Sequence, residues 1–227
     1  MTAPASPLAA RIDHTLLRPE AGEDDIRRLC DEALQWRFAA VCTHTGWTPL
    51  VAELLRGSGV AVCTVADFPL GASHPRLKAT QAGDALALGA DEVDVVLNPS
   101  LIRAGDAAAL AQEIALVREA THGSVLKLIL ETGALSEDEK RFAARLAVDG
   151  GADFLKTSTG FGAGGATEAD VRLLAEIAFG RARVKASGGV RDVAFAERLI
   201  KGGADRLGTS SGVTLVGGAS TETAAPL

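Results

Sequence analysis

Asp153-Phe154-Leu155-Lys156-Thr157-Ser158-Thr159-Gly160-Phe161 is a short apolar run that breaks into a Gly-rich turn, the pattern of a buried strand entering a loop. Lys156 sits in the middle of it. An ammonium taken out of water without a partner is costly, so a lysine at such a place marks a position kept for its chemistry. The same arrangement recurs in Leu126-Lys127-Leu128 and Val184-Lys185-Ala186 and, with the sign reversed, in Val93-Asp94-Val95. A single such lysine has a plain alternative, a surface side chain whose stem lies on apolar neighbours while its amine stays in water. Four strands repeating one register do not fit that alternative.

Along a strand, alternate side chains point to opposite faces. Val93, Val95 and Leu97 therefore share one face while Asp94, Val96 and Asn98 share the other; Leu126, Leu128 and Leu130 likewise oppose Lys127, Ile129 and Glu131. If the aliphatic faces pack under helices, the charged faces converge on an enclosed interior, which is the geometry of a parallel barrel.

The order of elements agrees. Ile26, Leu29, Cys30, Ala33 and Leu34 have helical spacing behind the acidic turn Glu23-Asp24-Asp25. Strands are expected at 39–43, 60–66, 92–97, 125–131, 154–158, 183–187 and 205–208, with helices near 47–56, 75–88, 106–120 and 192–201 between them. Ser136 with Glu139, and Thr167 with Asp170, form capping-box patterns that start two more helices. Gly89-Ala90-Asp91, Gly151-Ala152-Asp153 and Gly203-Ala204-Asp205 spell one helix-to-strand junction three times, the mark of a repeating unit. With Ile12-Asp13-His14-Thr15-Leu16 as a short eighth strand, the sequence predicts an α/β protein, a single-domain (β/α)8 barrel of the TIM type, over residues 8–216. A doubly wound open sheet is the runner-up, but it would leave charges on a face that helices cover. Residues 1–7 read as a flexible N-terminal arm and 217–227, without apolar periodicity, as a flexible C-terminal tail.

Composition bounds the partners. The chain has 227 residues, 47% of them hydrophobic, and a net charge of −6; its mean hydropathy is +0.18 and its pI near 5.3. That balance argues against nucleic acid or an anionic membrane surface and favours a small molecule. Cys30, Cys42 and Cys63 are odd in number and lack CxxC spacing, and His14, His44, His74 and His122 are scattered. No disulfide framework, metal site or cofactor motif is indicated, and a cytoplasmic location fits. No secretory signal or membrane span is expected at the N-terminus.

Barrel chemistry lies at the C-terminal strand ends, and here three of those ends are glycine-rich: Thr159-Gly160-Phe161-Gly162, Ser187-Gly188-Gly189-Val190-Arg191 and Gly208-Thr209-Ser210-Ser211-Gly212. Exposed backbone N–H groups, small side chains, hydroxyls and Arg191 supply the donors a phosphate needs.

At these residues the chain resembles a known family. Asp153–Phe161, Val184–Arg191, Glu92–Leu97 and Gly208–Gly212 are similar to signature segments of the deoxyribose-phosphate aldolases, and the likeness extends over residues 11–217. It implies a metal-free, cofactor-free class I aldolase that reversibly cleaves 2-deoxy-D-ribose 5-phosphate to glyceraldehyde 3-phosphate and acetaldehyde. By the same resemblance Lys156 is the Schiff-base nucleophile, Lys185 a second active-site lysine that disfavours the charged form of Lys156, and Asp94 the proton-relay acid and base. Asp13, Lys127, Cys42 and Thr157 are then candidates for contact with substrate, and Gly160, Gly188, Gly189, Arg191, Gly208, Ser210 and Ser211 for the phosphate. For Asp13 and Lys127 a purely structural ion pair, and for Cys42 a packed core thiol, stand beside those roles. The partners are a phosphosugar and an aldehyde, and a homodimer is one compatible assembly.

The chain departs from the family pattern at His44-Thr45, where relatives commonly carry Asn-Pro, and at Asp67, where glycine is usual. It also contains no tyrosine, whereas some relatives use one near the C-terminus. Two other readings compete: another phosphosugar barrel enzyme, transaldolase-like or an isomerase, and a non-catalytic phosphosugar sensor. The set Asp94, Lys156 and Lys185 weighs against a sensor, which needs no buried amine.

Overall fold

The computed structural model describes residues 6–217. Along them run β1 (Ile12–Leu16), α1 (Glu23–Trp36), β2 (Ala40–His44), α2 (Thr48–Leu54), β3 (Ala61–Ala66), α3 (Pro75–Ala87), β4 (Glu92–Val96), α4 (Pro99–Ala104), α5 (Ala107–Ala120), β5 (Val125–Ile129), α6 (Glu137–Asp149), β6 (Phe154–Lys156), α7 (Glu168–Ala178), β7 (Arg183–Ser187), α8 (Val193–Lys201), β8 (Arg206–Thr209) and α9 (Gly212–Gly217). The eight strands are parallel and close into a barrel, β8 pairing with β1 through Asp13 opposite Gly208. The proposed arm and tail lie outside the described residues except for Ser6, Pro7 and Gly217; the Ser6 carbonyl accepts from Ala9 N at 2.9 Å, and Gly217 ends α9.

The two faces read from strand alternation are the two sides of the barrel wall. Ile12, Val41, Val62, Val93, Val95, Leu126, Leu128, Leu155, Val184 and Leu207 belong to one continuous apolar core with the helices. Leu17, Ala40, Cys42, Cys63 and Val65 form a second cluster; the strand pairings Asp13–Ala40, Thr15–Cys42, Cys42–Cys63 and Val65–Asp94 put it on the side of the charged residues. The interior thus carries the charges beside this small apolar cluster, and most of the hydrophobic burial that holds the fold lies outside the sheet.

The thrice-spelled junction has a physical role at the N-terminal end of the barrel. Asp91 N donates to the Val62 carbonyl at 2.8 Å and its carboxylate accepts from Val62 N at 2.8 Å. Asp153 does the same with Leu126 and Asp205 with Val184, at 2.8–2.9 Å. Each aspartate clamps the residue at the start of the neighbouring strand by both of its backbone groups. The glycine that precedes it turns the chain in the positive-φ region, at 107°, 84° and 114°, where a Cβ is unfavourable.

Local differences from the sequence expectation have local causes. A short helix, α4, precedes α5, because Asn98 caps Ser100 N and Pro99 takes the first helical position. The Ser136–Glu139 capping box is complete. At α7 only half of it forms: Thr167 accepts from Asp170 N, but the Asp170 carboxylate turns instead to Lys140 Nζ at 2.6 Å. Strand β6 stops at Lys156, two residues before Ser158.

Candidate active site

The inward charges of six strands meet inside the barrel. Asp94 is fully buried and is the hub: its Oδ1 accepts from Lys127 Nζ at 2.8 Å, and its Oδ2 lies 2.7 Å from both Lys156 Nζ and Lys185 Nζ. Lys185 also reaches Asp13 Oδ2 at 2.5 Å, and Lys127 reaches Glu92 Oε2 at 2.6 Å. Arg206 ties Asp13 to Glu92, the latter at 2.8 Å. The Phe154 ring lies among the cations, 4.0 Å from the Arg183 guanidinium and 5.9 Å from Lys127 Nζ and from Arg206.

This environment sets the protonation of its members. Burial alone would make Asp94 hold a proton, but Lys127, Lys156 and Lys185 outweigh it and keep the carboxyl well below the usual range. Burial likewise opposes the charge on Asp13, yet Lys185, Lys127 and Arg206 lower it to about 2. Desolvation would strip Lys127 and Lys185 of their protons; the facing carboxylates win, and both amines are raised. Four cations, Lys127, Lys156, Lys185 and Arg206, face three carboxylates, Asp13, Glu92 and Asp94. Loss of one proton brings the cluster to neutrality.

Among those lysines, Lys156 is the one that lines the open pocket at the C-terminal end of the barrel, together with Thr15, Leu17, Thr159, Ser187, Gly188, Gly208 and Thr209. Aromatic rings roof it: Lys156 Nζ is 5.9 Å from the Phe68 centroid, and Phe68 meets His44 and Phe161 edge-on at 6.0 and 5.4 Å. His44, one of the departures, is fixed by the Leu17 carbonyl at 2.7 Å.

The remaining residues proposed from sequence distribute as follows. Gly188 and Gly208 line the pocket beside Lys156. A Cβ at Gly208 would come within 2.2 Å of Ser187 Oγ and 3.0 Å of Lys185 Cε, and at Gly188 within 2.9 Å of Gly165 Cα, so both glycines keep the wall open. Gly188 and Gly189 turn the chain at φ 91° and 78°, and the Gly188 carbonyl accepts from Ala166 N at 3.0 Å. Gly189 and Arg191 are exposed, Gly160 and Ser210 half-buried, and Ser211 buried with its N–H on Thr209 Oγ1 at 2.9 Å. The Thr157 hydroxyl is taken up by β7, donating to the Ser187 carbonyl at 3.1 Å and accepting from Ser187 N at 3.0 Å. Cys42 is buried beside Cys63; a hydrogen bond from Cys63 is the main cause that lowers its thiol.

Donor atoms of Cys42, Cys63 and Asp94, and of Asp13, Cys63 and Glu92, lie within 4.8 Å of one another. In both sets the carboxylates are already ion-pair partners of lysines, so a cation there would have to displace an ammonium.

Sequence reasoning missed Glu92 and Arg206. Strand parity carried the first, since Glu92 is two residues before Asp94 and shares its face; Arg206 pairs across from Lys185 and follows the third Gly-Ala-Asp junction. Thr15 and Leu17 continue the parity of Asp13 into the pocket.

Comparison with known proteins places this geometry. Residues 8–215 match the model of the DeoC/LacD family aldolases. The chain is 51% identical to a deoxyribose-phosphate aldolase of Deinococcus radiodurans over 211 residues, 93% of this chain and 96% of that one. It is 50% identical to a deoxyribose-phosphate aldolase of Brevibacillus brevis over 210 residues, 92% and 95% of the two chains. A deoxyribose phosphate aldolase from Aeropyrum pernix, described as having a unique tetrameric structure, superposes with a TM-score of 0.84 at 36% identity, covering 92% of this chain and 88% of its own.

Proposed function

Because the chain belongs to the DeoC/LacD aldolase family, we propose that it cleaves 2-deoxy-D-ribose 5-phosphate reversibly to D-glyceraldehyde 3-phosphate and acetaldehyde through a Schiff base on Lys156. The observation that carries this reading is the single Asp94 oxygen 2.7 Å from two lysine amines, one of them at the pocket surface. The lone pair of Lys156 Nζ adds to the C1 aldehyde carbon of the open-chain sugar, and the former carbonyl oxygen leaves as water after protonation. The resulting iminium is a cation at the place of the original ammonium, so Asp94 balances the intermediate as it balanced the resting lysine. The C3 hydroxyl then loses its proton, the C2–C3 electron pair moves into a C1–C2 enamine, and glyceraldehyde 3-phosphate departs. Protonation at C2 and hydrolysis release acetaldehyde and restore Lys156.

Lys185 acts as the second donor on Asp94. It stays with the carboxylate when Lys156 turns to substrate, so the anion is never left unpaired in the interior. Proton transfers to and from the reacting carbons run through pocket water next to Asp94 and Lys185. The phosphate lies against the Gly188-Gly189 turn, with Gly208 and Ser187 beside it and Gly160, Arg191, Ser210 and Ser211 on the adjoining loops. Asp13, with Lys127, keeps the network paired. The cysteines are free thiols and, among the described residues, no helix is long and apolar enough to cross a membrane; a reducing cytoplasmic setting accords with both.

The test is to incubate the chain with acetaldehyde and borohydride and locate the added ethyl group by mass spectrometry. It is expected on Lys156, and Lys156→Ala abolishes both adduct and turnover. Labelling confined to Lys127 or Lys185 overturns the assignment.

A further inference from the structure

A second buried lysine network lies outside the barrel interior. Lys78, on α3, is fully buried. Its ammonium donates to the Val96 carbonyl at 2.6 Å and the Gly71 carbonyl at 3.3 Å, pairs with Glu113 Oε1 of α5 at 2.8 Å and lies 3.4 Å from Asp67 Oδ2. Glu113 in turn accepts from Asn98 N at 3.0 Å. Three of these partners, Val96, Gly71 and Asp67, belong to two short segments: the carboxyl end of β4, two residues beyond Asp94, and the loop from Asp67 to Gly71. Lys78 therefore fastens that loop to the strand that carries the hub carboxylate.

The loop is keyed to β4 by shape as well. Gly71 has φ 65°, and a Cβ there would lie 2.6 Å from the Leu97 carbonyl oxygen and 2.7 Å from Val96 Cγ1. Asp67 has φ 49°; its N–H is held by Gln81 Oε1 at 2.7 Å, and its carboxylate accepts from the Ser73 hydroxyl and N–H at 2.6 and 3.1 Å. Between these two fixed ends stands Phe68, the ring over Lys156 Nζ.

We infer that Lys78 is a positioning residue for the reaction: through the 67–71 loop it sets the height of Phe68 over the Lys156 amine, with Glu113 as its counter-ion. The inference rests on the aldolase reading for its catalytic consequence but not for its mechanical one. A buried ammonium is an expensive way to hold a loop, and it is effective because it satisfies two carbonyls and two carboxylates at once, leaving the loop one position. Misplacement of a wall by about 1 Å is enough to cost an enzyme up to about a hundredfold. Among the described residues, the loops after β7 and β8 supply none of the hydrogen-bond or ion-pair partners of Lys78.

The experiment labels the protein with fluorophenylalanine, whose seven signals are read by 19F NMR, the Phe68 signal being assigned by its loss in Phe68→Leu. Lys78→Met with Glu113→Gln removes both charges together, and Gly71→Ala displaces the loop without touching either. In both variants the Phe68 signal is expected to shift or broaden while most others stay, with kcat on deoxyribose 5-phosphate lower by about tenfold or more and KM within about threefold. An unmoved Phe68 signal overturns the proposal, as does a moved signal with kcat unchanged. If one variant does not fold the other decides; failure of both to fold assigns the cluster to stability alone and overturns it too. If the unsubstituted protein shows no turnover and no borohydride adduct, the aldolase reading falls, and the Phe68 signal still reports whether Lys78 holds the loop.

Discussion

Asp13 offers the sharpest quantitative test of the interior network. Its carboxyl, buried among Lys185, Lys127 and Arg206, falls from 3.8 to about 2 in the folded protein. Between those values the unfolded chain binds the proton and the folded one does not, so stability falls as the pH drops through that window and is fully present above about pH 5. The displacement corresponds to about 2 kcal/mol at roughly 1.4 kcal/mol per pH unit. The assay is a series of urea unfolding curves from pH 5 to pH 2 for the unsubstituted chain and for Asp13→Asn. At pH 5 the variant is less stable by about 3 kcal/mol or more, because Lys185 and Arg206 lose a buried partner. On acidification the gap narrows by about 2 kcal/mol as the unfolded chain takes up the Asp13 proton that the folded one refuses. Parallel curves over the whole range would refute the reasoning, since they would mean that Asp13 has the same proton affinity folded and unfolded.

Three further outcomes are expected. Gly208→Ala places a methyl group 2.2 Å from Ser187 Oγ, so it lowers kcat/KM on deoxyribose 5-phosphate by at least about tenfold, and less on unphosphorylated deoxyribose, with a stability loss of about 1–3 kcal/mol in urea titrations. Asp205→Ala removes the acceptor of Val184 N at the far end of the barrel; it costs about 1–3 kcal/mol of stability and leaves kcat unchanged, which paired unfolding and kinetic measurements check. Removing residues 219–227, which bring no tyrosine, keeps kcat within about threefold, a barrier change under roughly 0.7 kcal/mol, and keeps deuterium exchange into acetaldehyde intact.

What could be read from the sequence was whatever a period of two encodes. Asp94, Lys127, Lys156 and Lys185 alternate with aliphatic neighbours, and that alone turned four local patterns into one enclosed interior. Asp13 had weaker support, because β1 is short and nearly every residue in it is buried. What alternation cannot show is who stands between two like charges. The sequence sets Lys185 against Lys156 as a repelling cation; in the structure Asp94 Oδ2 touches both, so the pair is linked through an anion. Thr157 follows Lys156 as a polar residue at a strand end, yet its hydroxyl is spent on the Ser187 backbone, a bond that depends on register. Lys78 escaped notice altogether, since on a helix with little amphipathic contrast a lysine looks like a solvated side chain. Only the packing of α3 on α5 and β4 shows that it is sealed in.

The ion cluster has a consequence for how the chain assembles. All of its carboxylates, Asp13, Glu92 and Asp94, come from β1 to β4, and all of its cations, Lys127, Lys156, Lys185 and Arg206, come from β5 to β8. Each half of the barrel thus presents an inner surface of one sign, which it cannot bury by itself. A half-barrel emerging first has no resting state with a dry interior, and two identical halves pressed together would set like charges against each other. One half of each kind restores every pair. The segregation makes closure and neutralisation the same event, and it selects the right partner half for a chain that could otherwise close on a copy of itself.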